Sequence, residues 1–544
     1  MVADQEIGYM RTIVQCFLAA VILNLAFIAP NQPGAMTLAA LTMVPLELPF
    51  VLFLLWAIPP SSRWNRPVRF GLVAVLMVAL VGRVADYATF TAFDRSFNSI
   101  VDWDLITAGW LTLVASTGWP LALVAAGSAL LALVAVGFLI IWATGVWAGL
   151  APHRPARPWL LAGATLGLVL TITDIGFHRN HWAYNPPGDA FTARTATSDA
   201  VQWSRTLTGL KRFSQSIQND PFAGHNKLLS RLTQNDVLLI YVESYGRSSF
   251  DNPLYAQTHV PTLIEAQQRL AKQGLAMRSG WLEAPMVGGQ SWLSHSTIAS
   301  GLLIDNQGLY RMLLDSQRPT LYHYAQKAGF QTIAVMPGIR LDWPEADFFG
   351  FDDVLDSHSL GYKGEAYNWV TMPDQFTLSA FDRLKRSQSP RQPIFAQIAL
   401  ISSHAPWVPI APVIEWDAIG DGTIFSQWAN TGDPPEVVWR DADRVRDQFR
   451  QSVDYSLKVA FSYAQQQYPN TPLIIILGDH EPARFVSQVP GRDVAVHFIG
   501  TPEQIAAIDQ WQWTTGLVPA QDLPVWPMDQ FRDRFINAYS KIAP

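Results

Sequence analysis

The residues that could do chemistry stand at the ends of short apolar runs. "VLLIYV" (237–242) leads into Glu243 and Ser244, and "IFAQIAL" (394–400) into Ser402, Ser403 and His404. "LIIIL" (473–477) leads into Gly478, Asp479 and His480. "TIAVM" (332–336) is followed by Pro337 and Gly338, with Arg340, Asp342 and Trp343 just beyond. Carboxylates and imidazoles are borderline-to-hard ligands that suit Mn²⁺ or Zn²⁺. One histidine after one strand is usually a satisfied loop residue; Glu243, His404, Asp479 and His480 together are a candidate metal centre. A fifth segment, "MVGGQSWLSHSTIASGLL" (286–303), is Gly-rich and then turns helical with Ser291 near the helix start. A helix N-terminus favours an oxyanion or phosphate. A serine hydroxyl becomes nucleophilic only beside a base or a metal. Ser291 next to a cation held by Glu243, Asp479 and His480 would meet that condition; elsewhere it would be no more than a helix cap. Ser294, Ser296 and Thr297 are the rival hydroxyls.

The elements that must position these groups follow from run length. Four apolar runs of five to seven residues, each bounded by polar residues, read as strands buried on both faces. Helical patterns separate them, as at Thr320–Ala328 and Arg446–Gln466. That alternation predicts a mostly parallel sheet with helices on both sides. Such sheets bind ligands outside the carboxyl ends of their strands. The candidate residues, spread over about 240 positions, are thereby expected at one rim.

Only the second part of the chain reads this way. Of 544 residues 49% are hydrophobic and 15% charged, too apolar for an ordinary soluble enzyme. The excess lies before residue 178. Stretches at about 10–30, 37–58, 69–90, 118–149 and 158–177 approach the roughly 20 apolar residues of a membrane span. The stretch from Ile100 to Thr117, with Trp103 and Trp110, reads as an interfacial helix. Acidic residues ahead of the first run, and four spans after it, argue against a cleaved signal peptide.

Arg63, Arg66 and Arg69 follow the second span and Arg154 and Arg157 the fourth, whereas Asp94, Asp102 and Asp104 follow the third. The positive-inside rule then puts the N-terminus in the cytoplasm and everything after His178 outside. For a bacterial chain this means a multi-pass protein of the cytoplasmic membrane with its second half facing the periplasm or exterior. Arg83 and Asp86, one helical turn apart, read as an ion pair that fixes helix depth, ahead of a headgroup or proton site. The single cysteine, Cys16, lies in the first apolar run and excludes a disulfide framework. A net charge of −6 without a basic stripe excludes nucleic acid as a partner. The expected organisation is a transmembrane domain (1–178), a partly helical linker (179–235, with helical patterns at 201–213 and 227–232) and an exported catalytic domain (236–544).

The motifs "VLLIYVESYGRSSFDNP", "GGQSW", "ISSHAPW" and "LGDHEP", in this order, resemble those of the alkaline-phosphatase/sulfatase superfamily. They most resemble its lipoteichoic-acid-synthase branch, which has five membrane spans and an exported catalytic domain. The resemblance implies one divalent metal ion, Mn²⁺ ahead of Zn²⁺ or Mg²⁺, held by Glu243, Asp479, His480 and the nucleophile at Ser291, where the family usually has Thr. It implies that His404 contacts the transferred phosphate and that Asp342 and Trp343 bind the headgroup. Arg340 would substitute for the family's Arg, because Glu345 stands just after the Trp where that Arg would fall. The C/S-x-P-x-R motif of sulfatases is missing, as are the exported disulfides and His-Gly-Ser-His motif of phosphoethanolamine transferases.

The expected activity is transfer of phosphoglycerol from phosphatidylglycerol to an exported glycan or polymer through a phosphoryl-serine. A membrane-anchored phosphodiesterase or phosphatase and a phosphoethanolamine transferase are the enzyme alternatives. A catalytically inactive sensor or scaffold is the alternative of another class.

Overall fold

The computed structural model describes residues 2–151, 154–233 and 235–541. It divides into two compact units, Met1–Leu210 and Lys211–Pro544. The boundary falls inside a 28-residue helix, Phe191–Gln218, so about half of the expected linker is one continuous helix. The second helical pattern expected there, 227–232, forms turns instead.

In the first unit the long helices are α1 (Val2–Ile28), α2 (Glu47–Ala57), α3 (Asn65–Phe93), α4 (Trp103–Thr117), α5 (Trp119–Ala148) and α6 (Arg157–His178). Among the described residues, α1, α3, α5 and α6 are long and apolar enough to cross a membrane. The 37–58 stretch, expected as one span, is broken. A four-residue turn of helix, Leu38–Leu41, is followed by Pro45 and then by the 11 residues of α2. Proline disfavours helix in the residue before it, which leaves α2 about 16 Å long against a hydrocarbon core of about 30 Å.

The order of passes is nevertheless kept. At one level Arg83 of α3 donates to Ala26 O near the end of α1 (3.0 Å) and to Thr192 Oγ1 (2.7 Å), while Glu47 at the start of α2 accepts from Ala193 N (2.9 Å). At the other level Asn65, at the start of α3, donates to Ala148 O at the end of α5 (3.0 Å) and reaches Ile58 O just past α2. The α2 residues Phe53 and Phe50 meet Gly163 and Gly167 of α6 in antiparallel order. The chain thus passes five times between the two levels, the second time through a half-length helix. Arg83 is buried and spends its guanidinium on Ala26 and Thr192, a structural role. The Arg154 side chain, one of the charges used for orientation, lies outside the described residues.

The second unit is built on one sheet. Its strands are β1 (Val237–Val242), β2 (Ala276–Glu283), β3 (Gln331–Met336), β4 (Asp353–Asp356), β5 (Ile394–Leu400), β6 (Leu473–Gly478), β7 (Asp493–Gly500), β8 (Thr514–Thr515) and β9 (Val525–Pro527). The order is β4-β3-β5-β1-β6-β7-β2-β8, with β9 also on β2. The strands from β4 through β6 run parallel, and β7 turns antiparallel to both β6 and β2. All four runs read from sequence are strands, and β1, β5 and β6 are buried along their length. Alternate residues of β1 feed two cores. Leu238, Ile240 and Val242 pack toward Tyr255, Leu263, Phe449 and Val453, and Val237, Leu239 and Tyr241 toward Leu293, Ile298, Leu321 and Phe535. The result is helices on both faces of a mostly parallel sheet, as expected. Val242 pairs with both Leu400 and Gly478, so the first residues past β5, β1 and β6 come out side by side.

Candidate active site

That register sets Glu243 next to Asp479 at the carboxyl edge of the sheet. Gly478 is required there: a Cβ would come within 1.9 Å of Tyr245 O. Ser244 takes a left-handed backbone (φ 60°), uncommon for a non-glycine residue. Its N–H donates to Asp479 Oδ1 (2.8 Å), which also accepts from His480 N (2.7 Å). His480 Nδ1 donates to Glu481 O (2.8 Å), which fixes the ring and turns Nε2 toward Glu243 Oε1 at 3.2 Å. Backbone support of this kind on the far ring nitrogen is what orients a ligating histidine.

Ser291 is the first residue of the Ser291–Ser300 helix. The cap position belongs to Gln290, which is left-handed (φ 65°) and makes no side-chain capping bond. Ser291 is therefore not a cap. Its Oγ lies 3.0 and 3.2 Å from the two Glu243 oxygens and 3.2 Å from His480 Nε2. The rival hydroxyls are engaged elsewhere: Ser294 with Asp479 O, Ser296 with Trp292 O and Thr297 with Leu293 O.

Glu243, Asp479 and His480 are all buried, with ligand atoms within 4.8 Å of one another. Burial alone would raise the Glu243 pKa, but the His480 hydrogen bond and the nearby His404 and His480 hold it well below the usual carboxylate range. Burial and the Glu243 carboxylate push Asp479 up. Burial would depress His480, but Asp479 and Glu243 carry it up to about 9. The cluster is thus two buried carboxylates sharing one proton-bearing imidazole. Two carboxylate groups, an oriented imidazole nitrogen and a serine oxygen at these spacings fit a divalent cation, which would take the place of the His480 proton.

Two residues outside the expected site, Glu481 and Asp374, hold this arrangement together. Glu481 accepts from His480 and from Gly288 N through its carbonyl, and its carboxylate takes Ser248 N and Oγ (2.7 Å each). It so links three of the site's segments. Asp374, fully buried, accepts from Ile401 N and Ser402 N and from Ser456 Oγ, which fixes the loop before His404. His404 is exposed. Its Nδ1 donates to Ala405 O (2.6 Å), and among the described residues Nε2 has no hydrogen-bond partner.

Beside Ser291 and Glu243 opens a cavity of about 440 Å³. Its walls carry Trp292, His295, Tyr310, Trp343, Glu345 and Gln397, among others. Of the three residues expected to bind the headgroup, Trp343 lines it. Asp342 is exposed and does not line it, and Arg340, also exposed, turns to Trp369 O (3.1 Å). Glu345 and His295 take wall positions instead. His295 lies four residues after Ser291, a helical spacing that could have singled it out from sequence.

Residues 235–500 match the family model described as Sulfatase. No curated protein sequence matches the chain significantly. Among solved structures it is similar to the lipoteichoic acid synthase LtaP from Listeria monocytogenes (14% identity, 54% of this chain and 71% of that one, TM-score 0.36). It is also similar to the Streptococcus pyogenes phosphoglycerol transferase GacH in complex with sn-glycerol-1-phosphate (11% identity, 62% and 91%, TM-score 0.36). A third is the C-terminal periplasmic domain of EcEptC from Escherichia coli (12% identity, 56% and 82%, TM-score 0.38). These likenesses are remote. The family match, spanning β1 through β7 and every residue of the cluster, makes residues 235–500 a sulfatase-type enzyme domain, carried on a chain with membrane-length apolar helices.

Proposed function

We propose that this domain transfers a phospholipid headgroup phosphate ester, phosphoglycerol from phosphatidylglycerol, to a hydroxyl of an exported glycan or polymer. The observation that carries the reading is Ser291 Oγ, freed from capping and held within 3.2 Å of Glu243 and His480 at the wall of a cavity. Glu243, Asp479, His480 and Ser291 would hold a divalent cation, Mn²⁺ first, which when bound lowers the cost of an ionised serine and of charge on the phosphoryl oxygens. Ser291 Oγ forms a bond to phosphorus as the bond to the diacylglycerol oxygen breaks, and over the step the serine proton ends on that oxygen, so diacylglycerol leaves as the alcohol. Glu243 accepts the hydrogen bond from the Ser291 hydroxyl, and His404, its Nε2 unpartnered among the described residues, faces the phosphate. The acceptor hydroxyl oxygen then bonds to phosphorus as the Ser291 Oγ–phosphorus bond breaks, and the acceptor's proton returns to Ser291 Oγ. Catalysis is mostly positioning and electrostatic stabilisation.

The motif resemblance and the Arg asymmetry of the loops support the further reading that the domain faces the periplasm or exterior of a bacterial cytoplasmic membrane. A second donor, phosphatidylethanolamine, is favoured by a specific observation. Glu345, Trp292, Trp343 and Tyr310 line the cavity, and among its described lining residues none is Lys or Arg. A carboxylate with aromatic faces suits an ammonium group.

The test is diacylglycerol release by the full-length protein in detergent with added Mn²⁺, from each lipid in turn, with headgroup-labelled donor. Wild type should acquire label on Ser291, and Ser291→Ala should lose turnover while still binding Mn²⁺. Near-normal turnover in Ser291→Ala would exclude the covalent route.

A further inference from the structure

His295 is 7% exposed, yet it is one of the residues lining the cavity that Ser291 and Glu243 also line. It follows Ser291 by one turn of the same helix, about 6 Å along the axis, so the two side chains share a face. Its ring is fixed against Tyr241, with centroids 4.0 Å apart. Among the described residues its Nε2 has no hydrogen-bond partner. A buried polar atom left unpaired carries the full cost of its desolvation, and most native structures avoid this. An imidazole left unpaired among the residues that line a substrate-sized cavity is therefore a group that a ligand can satisfy.

The position says which part of the ligand. Phosphorus must sit at Ser291 Oγ. One turn further along the helix the cavity continues past His295, which leaves room there for a group carried beyond the phosphate. Burial holds the imidazole neutral, with its pKa pushed down to about 4, so one ring nitrogen is an acceptor. The carboxylates on the wall are Glu243, which belongs to the cluster at Ser291, and Glu345.

We propose that His295 reads the donor headgroup, accepting a hydrogen bond from a proton donor, a hydroxyl or an ammonium, carried beyond the phosphate. This assignment rests on the headgroup-transfer reading above and adds to it the residue that sets headgroup choice. It also states the chemistry that the cavity selects: headgroups with a proton donor are taken, and headgroups without one are refused.

The experiment uses the full-length protein in detergent with Mn²⁺ and three donors of matched acyl chains: phosphatidylglycerol, phosphatidylethanolamine and phosphatidylpropanol. The last has the same phosphodiester but no donor on its headgroup. Wild type should prefer phosphatidylglycerol or phosphatidylethanolamine over phosphatidylpropanol by about 10- to 100-fold in kcat/KM, the usual cost of an unpaired buried group. Which of the two is preferred identifies hydroxyl or ammonium. In His295→Ala the preference should fall to within about threefold, and His295→Gln, which keeps an acceptor, should retain part of it. The preference is a ratio measured on one sample, so a reduced fraction of folded protein cancels.

A wild-type ratio near one overturns the assignment, as does an unchanged ratio in both variants. Complete inactivity of both variants toward all three lipids overturns it too, since it would move His295 into the chemistry at Ser291. Failure of wild type to release diacylglycerol from any of the lipids has a different signature and takes down the headgroup-transfer reading together with this one.

Discussion

Metal loading should be strongly pH-dependent, and the structure gives both sign and size. In the metal-free cluster the two carboxylates raise His480 to about 9, so Nε2 carries a proton at neutral pH. A cation can take that nitrogen only after the proton leaves. Binding therefore releases about one proton per site at any pH well below 9, and affinity must rise close to tenfold per pH unit. Between pH 6.5 and 8.5 the apparent Mn²⁺ affinity should increase by about 100-fold. Asp479, pushed up by burial and by Glu243, adds to the slope at the acid end of that range. The assay is titration with Mn²⁺, following loss of the free-ion electron paramagnetic resonance signal, repeated calorimetrically in buffers of different ionisation enthalpy to count protons. An affinity that is flat across this range, with no proton released, would refute the reasoning that His480 holds a proton which the metal replaces.

Two further outcomes follow from packing and from charge. Gly246→Ala would set a Cβ 2.2 Å from Glu481 Cδ, forcing out the carboxylate that holds Ser248. The expected loss is about 2–4 kcal/mol, from overpacking and two broken charged hydrogen bonds, together with weaker Mn²⁺ binding; denaturation within 0.5 kcal/mol of wild type would show the clash is relieved cheaply. A reporter fused after His178 should be active only outside the cytoplasm and one near Arg66 only inside, and reversal of both signals would remove the access to lipid on which the reading depends.

What could be read in the sequence were features with a local signature. The runs ending at Val242, Leu400 and Leu477 are short, apolar and punctuated by polar residues, so the strands were legible, and with them the residues that strand ends present. The antiparallel strand β2 escaped because "AMRSGWLE" mixes polar and apolar residues without a clean run, and β7 because His497 interrupts the apolar run of "DVAVHFIG". In the second span, five residues around Pro45 outweigh an otherwise apolar stretch, which hydropathy averaging cannot register. The headgroup wall was the hardest part. Asp342 and Glu345 are three residues apart in a turn, and which of them faces a cavity depends on the path of the backbone, not on residue type. Glu481, although it stands in "LGDHEP", and Asp374 act by bonding groups far away in sequence, a role that residue type and spacing do not reveal.

The order β5-β1-β6 also decides when the site comes into being. Glu243 is synthesised early in the domain, but its partners Asp479 and His480 arrive more than two hundred residues later, and β6 must slot in beside β1 before the three ligands meet. A nascent chain that has β1 and the Ser291 helix but lacks β6 presents one carboxylate and one hydroxyl, too few to retain a divalent ion. The compartment in which the last central strand docks, rather than the one in which the chain is made, is the one whose free metal ions compete for the site.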